Sequence, residues 1–315
     1  MRIILPRTTV LRRFFSTTPR CLLDSPLDLA YTRHDPPSPP KQPKPPMIIM
    51  HGLFGSQRNN RTFSKVLAQQ LLRPVYTVDL RNHGASPHNP THTYTSMSID
   101  IEHFLTHQLQ LSVSRTKPIL IGHSMGAKVA MTAALRNPTW YSGIIPLDNA
   151  PVDAALKSDF GNYVRAMQEI ESHTPALTKQ SDADAILAKY ESNIGIRQFL
   201  LTNLMKDPSS TDKKTLIWRV PLNILAKNLD NMADFPYKDP EEARFEGPTL
   251  VVRGGESRYV ADETLPVFGR FFPRFEMVDV KGAGHWVVSE AFEEVVGAVV
   301  EWVRRVVDLD QDLDG

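Results

Sequence analysis

The chain has 315 residues, 41% of them hydrophobic, and a formal charge of +1, enough to bury one large core as a single α/β domain. The charge is uneven: residues 1–22 hold five arginines and no acid, leaving 31 basic against 35 acidic residues in the body and no electrostatic argument for nucleic acid. The lone Cys21 excludes disulfides and thiol-bound metals from the body, and no apolar run approaches the ~20 residues that span a bilayer.

Residues 1–22 contain Arg, Ser and Thr with interleaved Ile3, Leu5, Leu11, Phe14 and Phe15, the composition of a mitochondrial transit peptide. Arg13-Phe14-Phe15 before Ser16 resembles a matrix-processing site, so the matrix is the expected location. Pro6, Arg7, Arg12 and Arg13 interrupt the apolar core that a secretory signal needs, and a disordered cytosolic tail is the bland alternative. Residues 27–33 alternate as a first strand. Seven prolines in the eleven positions from Pro36 then read as a long surface connection between opening strands.

Residues 47–50 form an apolar strand run ending in His51-Gly52-Leu53-Phe54-Gly55-Ser56. Residues 62–72 are spaced as an amphipathic helix, 75–80 as a strand and 94–109 as a second helix. The strand leaves through Asp79-Leu80-Arg81-Asn82-His83-Gly84. His83, among Arg, Asn and Asp in a loop, reads as a structural hydrogen-bonding residue rather than a base.

Residues 117–121 then lead as a strand into Gly122-His123-Ser124-Met125-Gly126, and 127–135 leave as a helix. Gly-x-Ser-x-Gly in that context is a nucleophile elbow, with the serine on a strained turn whose neighbours two before and two after must be nearly free of side chain. The oxyanion hole of such a site takes one backbone N–H from the loop after the 47–50 strand and one from the residue after the nucleophile. Leu53, with Phe54 as the near alternative, and Met125 are the expected donors.

A serine hydroxyl needs a histidine to accept its proton, and the histidine needs a carboxylate to hold its tautomer. The chain order in this arrangement is nucleophile, acid, histidine. His285, on Gly282-Ala283-Gly284-His285-Trp286 after the 276–280 strand, is the candidate base; His173, in a polar helix-rich region, reads as a solvated residue. Two positions compete for the acid. Glu256 follows the 248–253 strand, beside Ser257, which stands where an Asp is usual. Asp148 ends the strand directly after the elbow helix, and one helix plus one strand return it to the same sheet edge, which favours it.

These elements divide the chain into a transit peptide (1–22), a first core part (25–152), an inserted helical cap (153–245), a second core part (246–307) with a closing helix over 292–306, and a polar tail (308–315). Phe199, Leu200, Met205 and Trp218 of the cap are candidate pocket residues, each a core residue by default. Phe54 and Trp286 are the candidate substrate contacts beside the triad.

Six motifs carry a resemblance: His51 to Ser56, Asp79 with Arg81-Asn82-His83-Gly84, Gly122 to Gly126, Leu147-Asp148-Asn149-Ala150-Pro151-Val152, Gly254-Gly255 with Ser257 and Tyr259-Val260, and Gly282 to Trp286. Together they resemble the group of α/β-hydrolases containing mitochondrial abhydrolase domain-containing protein 11, bacterial short-chain acyl esterases and the yeast ethanol acetyltransferases, over roughly residues 27–305. Ala127 departs from the group, which usually has a second glycine there. The resemblance implies an α/β-hydrolase fold, a mostly parallel sheet flanked by helices. It places the acid at Asp148 and implies hydrolysis of short- or medium-chain acyl esters or thioesters through an acyl-serine, with no metal or organic cofactor. The expected partner is a small acyl ester or acyl-CoA, with no nucleic acid and no membrane span. Alcohol acetyl transfer from acetyl-CoA is the runner-up, and a non-catalytic mitochondrial binding or chaperone-like protein is the reading from another class.

Overall fold

The computed structural model describes residues 25–38, 42, 44–153, 159–211 and 214–308. Residues 1–22, and with them the transit peptide, lie outside these, as do 309–315 of the tail.

The strands are β1 (Tyr31–His34), β2 (Met47–Met50), β3 (Val75–Val78), β4 (Ile119–His123), β5 (Gly143–Leu147), β6 (Leu204–Lys206), β7 (Leu216–Trp218), β8 (Thr249–Gly254) and β9 (Phe275–Val280). Seven of them form one sheet in the order β1-β3-β2-β4-β5-β8-β9; β1 pairs antiparallel to β3 and every other pairing is parallel. A parallel sheet covered by helices on both faces demands strands apolar throughout. Met47-Ile48-Ile49-Met50 and Ile119-Leu120-Ile121 meet that demand, and β2, β3 and β5 are buried at every position.

Two cores lie on opposite faces. Against one, α2 (Tyr94–His103) and α3 (Met125–Arg136) pack Met97, Ile101, Val129 and Ala133; against the other, α1 (Arg61–Leu71) packs Phe63 and Leu67 beside Val295 and Val299 of a late helix. Every residue of α3 from Met125 to Leu135 is buried, including Ala127, so the extra methyl at that position is accommodated.

Between β5 and β8 the chain forms α4 (Asp159–Glu171), α5 (Gln180–Leu187), α6 (Ile194–Leu201), α7 (Leu222–Lys227) and α8 (Leu229–Ala233). This block is not purely helical: β6 and β7 pair as a separate antiparallel ribbon. Three-residue strands are too short for an alternation to register, and Trp218, a candidate pocket residue of the cap, belongs to β7. After β8 come α9 (Leu265–Phe271), β9, α10 (Val287–Glu290) and α11 (Phe292–Trp302), the last continued over Val303–Asp308 as a wider π-helix, so the helical run covers the expected 292–306.

The first strand is displaced from the expected 27–33. The amides of Leu27, Leu29 and Ala30 are taken by side chains of Asp100, Gln108 and Ser86, so ladder pairing starts only at Tyr31. Asp308, expected to open the free tail, instead accepts from Lys44 at 2.6 Å and from the buried guanidinium of Arg73.

Candidate active site

Five neighbouring strands, β2, β4, β5, β8 and β9, end at one edge of the sheet, and the loops leaving them hold the chemistry-bearing residues. A parallel order makes this possible, since all five run in one direction.

The turn after β4 holds Ser124 at φ 54°, ψ −113°, a left-handed conformation that costs a non-glycine residue about 1–3 kcal/mol. The surrounding packing enforces it. A Cβ on Gly122 would lie 2.0 Å from the Gly126 carbonyl oxygen, and one on Gly126 would lie 2.5 Å from that of Met50, so helix and strand meet without room for a methyl. The Ser124 amide donates to Leu147 O at 3.0 Å, and the Asn149 amide group donates to Ser124 O at 3.1 Å, tying the turn to the end of β5.

His285 Nε2 lies 2.9 Å from Ser124 Oγ, and its Nδ1 lies 2.7 Å from Asp148 Oδ2. With the carboxylate accepting from Nδ1–H, Nε2 is left with the lone pair that a serine proton needs. Asp148 is fully buried, also at positive φ (51°), and it is held from two further sides: the Gly254 amide donates to Oδ1 at 3.1 Å, and the Ser257 hydroxyl donates to Oδ2. Ser257 thus stands where an acid is usual and donates to Asp148 at the end of the adjacent strand. Glu256 is exposed, and only its backbone is engaged, at Ala283 O.

The imidazole of His285 is clamped. Tyr259 stacks on it at 3.8 Å between ring centroids and 17° between planes, and Tyr259's own amide donates to Ser257 Oγ. His123 Nε2–H donates to the His285 carbonyl at 2.7 Å. Burial first, then the neighbouring His285, pushes the His123 pKa down to about 4, so it holds this bond as a neutral ring. Neither His123 nor Tyr259 was assigned a role from sequence. His123 sits inside the Gly-x-Ser-x-Gly motif, but nothing local shows which of its faces meets a loop 162 residues later.

The expected oxyanion donors, the backbone amides of Leu53 and Met125, have no protein acceptor among the described residues. The near alternative, the Phe54 amide, is already donated to His83 Nε2 at 3.1 Å. His83 is fully buried and donates from Nδ1 to Arg81 O, while His51 accepts from the Leu80 amide and donates to Gly52 O. Both rings have pKa values lowered chiefly by burial, and each staples the loop after β2 to the loop after β3. Phe54 itself, at φ 61°, is a buried core ring against Phe160 rather than an open substrate contact.

A cavity of about 430 Å³ adjoins the centre, within the ~300–1,000 Å³ of small-molecule sites. Gly52, His123, Phe199, Trp286, Val288 and Phe292 are among its walls. Ser124 is not one of them, but a Cβ on Gly52 would come within 3.2 Å of Ser124 Cβ, so the candidate nucleophile lies directly behind that wall. Trp286 and Phe199 meet edge to face at 4.5 Å and bring α6 to the base-bearing loop. Of the other pocket candidates, Leu200 and Trp218 are core residues and Met205 lies half-buried on β6. His173 is exposed, bonded to Pro175 O.

The family described as the alpha/beta hydrolase fold matches residues 45–292. The chain belongs to this family. A "Probable alcohol acetyltransferase" of Saccharomyces cerevisiae is 42% identical over 274 residues, covering 84% of this α/β-hydrolase and 78% of that protein. An "sn-1-specific diacylglycerol lipase ABHD11" of Xenopus laevis is 37% identical, covering 82% and 80%. Among solved structures, a "Marine microorganism esterase" superposes with a TM-score of 0.76 at 27% identity, over 87% of this chain and 99% of that one. The relatives of this α/β-hydrolase are thus enzymes of esterase, lipase and acyltransferase type. Among its described residues no helix is long and apolar enough to cross a membrane, and no group of three or more His, Cys, Asp or Glu could hold a metal ion.

Proposed function

We propose that the protein is a serine hydrolase of short- or medium-chain acyl esters or thioesters, acting through an acyl-enzyme. The observation that carries this reading is the unbroken hydrogen-bond chain from Ser124 Oγ through His285 to buried Asp148; the Leu53 and Met125 amides, without a protein acceptor among the described residues, support it. In the reaction Ser124 Oγ attacks the acyl carbonyl while His285 takes its proton. The Leu53 and Met125 amides receive the tetrahedral oxyanion. The leaving group departs with the proton from His285, and water, activated by the same imidazole, releases the acid. No step requires a metal or organic cofactor.

The test is labelling by a fluorophosphonate: wild type should label and Ser124→Ala should not. An unlabelled wild-type protein would instead favour a binding or chaperone-like role. A panel of acyl esters and acyl-CoAs at fixed concentration then ranks acyl length and leaving group.

Alcohol acyl transfer is the second reading, supported by the 42% identity to the yeast protein named for that activity. It needs only that an alcohol reach the acyl-enzyme in place of water. Supplying acetyl-CoA with ethanol and measuring ethyl acetate against acetate separates the two, and no ester at high ethanol excludes transfer. The acid-free, Arg-bearing leader supports a mitochondrial matrix location. Residues 1–25 fused to a fluorescent protein should direct it to mitochondria, and a diffuse cytosolic signal would overturn that location.

A further inference from the structure

The turn Gln57–Asn60 is a rim shared by three hollows. Asn59 lines both the cavity beside the nucleophile and a second one of about 380 Å³, which also contains Arg58 and Arg219. Arg58 in turn is shared with a third hollow of about 360 Å³ that contains Arg61, Lys65 and His34. The two outer hollows therefore gather four cationic side chains, and no carboxylate lines either of them.

Surface cations are commonly offset by neighbouring acids. Among the described residues none of these four makes an ion pair, and Arg219 Nε is buried with no hydrogen-bond partner. A buried guanidinium nitrogen left without an acceptor is costly and marks a place where an acceptor belongs. The excess positive field is felt by His34, whose pKa is lowered by burial and then by Lys65 and Arg61. The acid that opposes them there, Asp35, is already paired with Arg33.

We propose that Arg58, Arg61, Lys65 and Arg219 form an anion-binding subsite for the phosphate groups of a phosphorylated acyl substrate. The inference rests on the acyl-transfer reading above and adds the chemical class of what the substrate carries. Guanidinium forks bind phosphate oxygens in pairs, and an ammonium adds a point charge. Gly52 lies so close to Ser124 that a Cβ on it would come within 3.2 Å of Ser124 Cβ, and six residue steps lead from it to Arg58, so the Arg58 end of the subsite lies within roughly 20 Å of the nucleophile even at full extension. An acyl group at the end of an extended arm that terminates in phosphates fits that separation. The subsite does not touch the reacting atoms: the acyl–sulfur or acyl–oxygen bond breaks at Ser124, His285 returns the proton to the leaving atom, and the phosphates stay unchanged.

Two sources share this chemistry, a soluble phosphorylated thioester and a phospholipid. The experiment therefore uses two substrate pairs, acetyl-CoA with acetyl-pantetheine and phosphatidic acid with diacylglycerol. These are compared for wild type and for the triple variant Arg58→Gln/Arg61→Gln/Lys65→Gln, all exposed positions, with folding checked by thermal melting. The expected result is a lower KM for the phosphorylated member of one pair, and a fall of roughly tenfold or more in that preference in the variant, the size of one charge-assisted contact. The pair that responds names the source. No preference in either pair, or a preference that survives in the variant, overturns the proposal. Calorimetric titration of Ser124→Ala with pyrophosphate reads the subsite without turnover. Binding that weakens tenfold when the three cations are replaced supports it even if the hydrolase reading fails, and equal binding overturns it.

Discussion

Ser124 is held in a backbone conformation that glycine adopts freely, and the proposed function gives its hydroxyl the role of nucleophile. Ser124→Gly and Ser124→Ala should both lose fluorophosphonate labelling, but the glycine variant should be more stable than the alanine variant by about 1–2 kcal/mol, since only glycine relieves the positive φ. Equal melting temperatures would show that the turn is unstrained. For the acid, Asp148→Asn keeps the shape but cannot hold the same imidazole tautomer. Its kcat should fall on the order of 10³–10⁴-fold, while Glu256→Gln stays near wild type. Near-normal turnover in Asp148→Asn would move the acid elsewhere. Asp148 could be favoured before any coordinates because strand order places it at the edge where Ser124 ends. The use of Ser257 as its hydrogen-bond donor could not, because it depends on β8 lying beside β5.

The loops after β2 and β3 act as one piece. His51 and His83 join them, and the loop after β3 is tied to α2 by a fully buried, two-pronged pair in which Arg81 meets both oxygens of Asp100 at 2.6 and 2.8 Å. Asp100→Ala would leave the guanidinium buried without its anion, at a cost of about 3–5 kcal/mol in urea unfolding. A loss below 1 kcal/mol would mean that water reaches Arg81. The structural reading of His83 fits these contacts, but its partner is more specific than a loop histidine suggests: it occupies the amide of Phe54, the near alternative to Leu53. The inserted block was legible as helical from its spacing, but not its ribbon, whose two strands acquire a pattern only by pairing across nine intervening residues.

The whole protein buries His51, His83 and His92 and half-buries His123 at the cavity wall, and desolvation lowers the pKa of each, to about 3 for His92 and about 4 for His123. Groups with depressed folded pKa values bind protons more readily when unfolded, so stability rises with pH until their unfolded value is passed. The fold should therefore be at full strength above about pH 6.5 and lose up to about 1.4 kcal/mol per histidine per pH unit as pH falls from there toward 4. Urea midpoints between pH 7 and 4.5 check this. A midpoint flat across that range would show that these rings gain protons in the folded state.

The hydrolase fold and the sharp turn that holds Ser124 were readable from linear order, because strand, tight turn and helix are local events and Gly122, Ser124 and Gly126 satisfy a local steric rule. The first strand was misplaced by a few residues because the amides of Leu27, Leu29 and Ala30 are claimed by Asp100, Gln108 and Ser86 from distant segments. The same reason separates Leu53 from Phe54, makes Ser257 the support of Asp148, and gathers the four cations around Gln57–Asn60. Each depends on hydrogen bonds or charges meeting across many residues, and those neighbours exist only once the sheet order β2-β4-β5-β8-β9 has brought their loops to one edge.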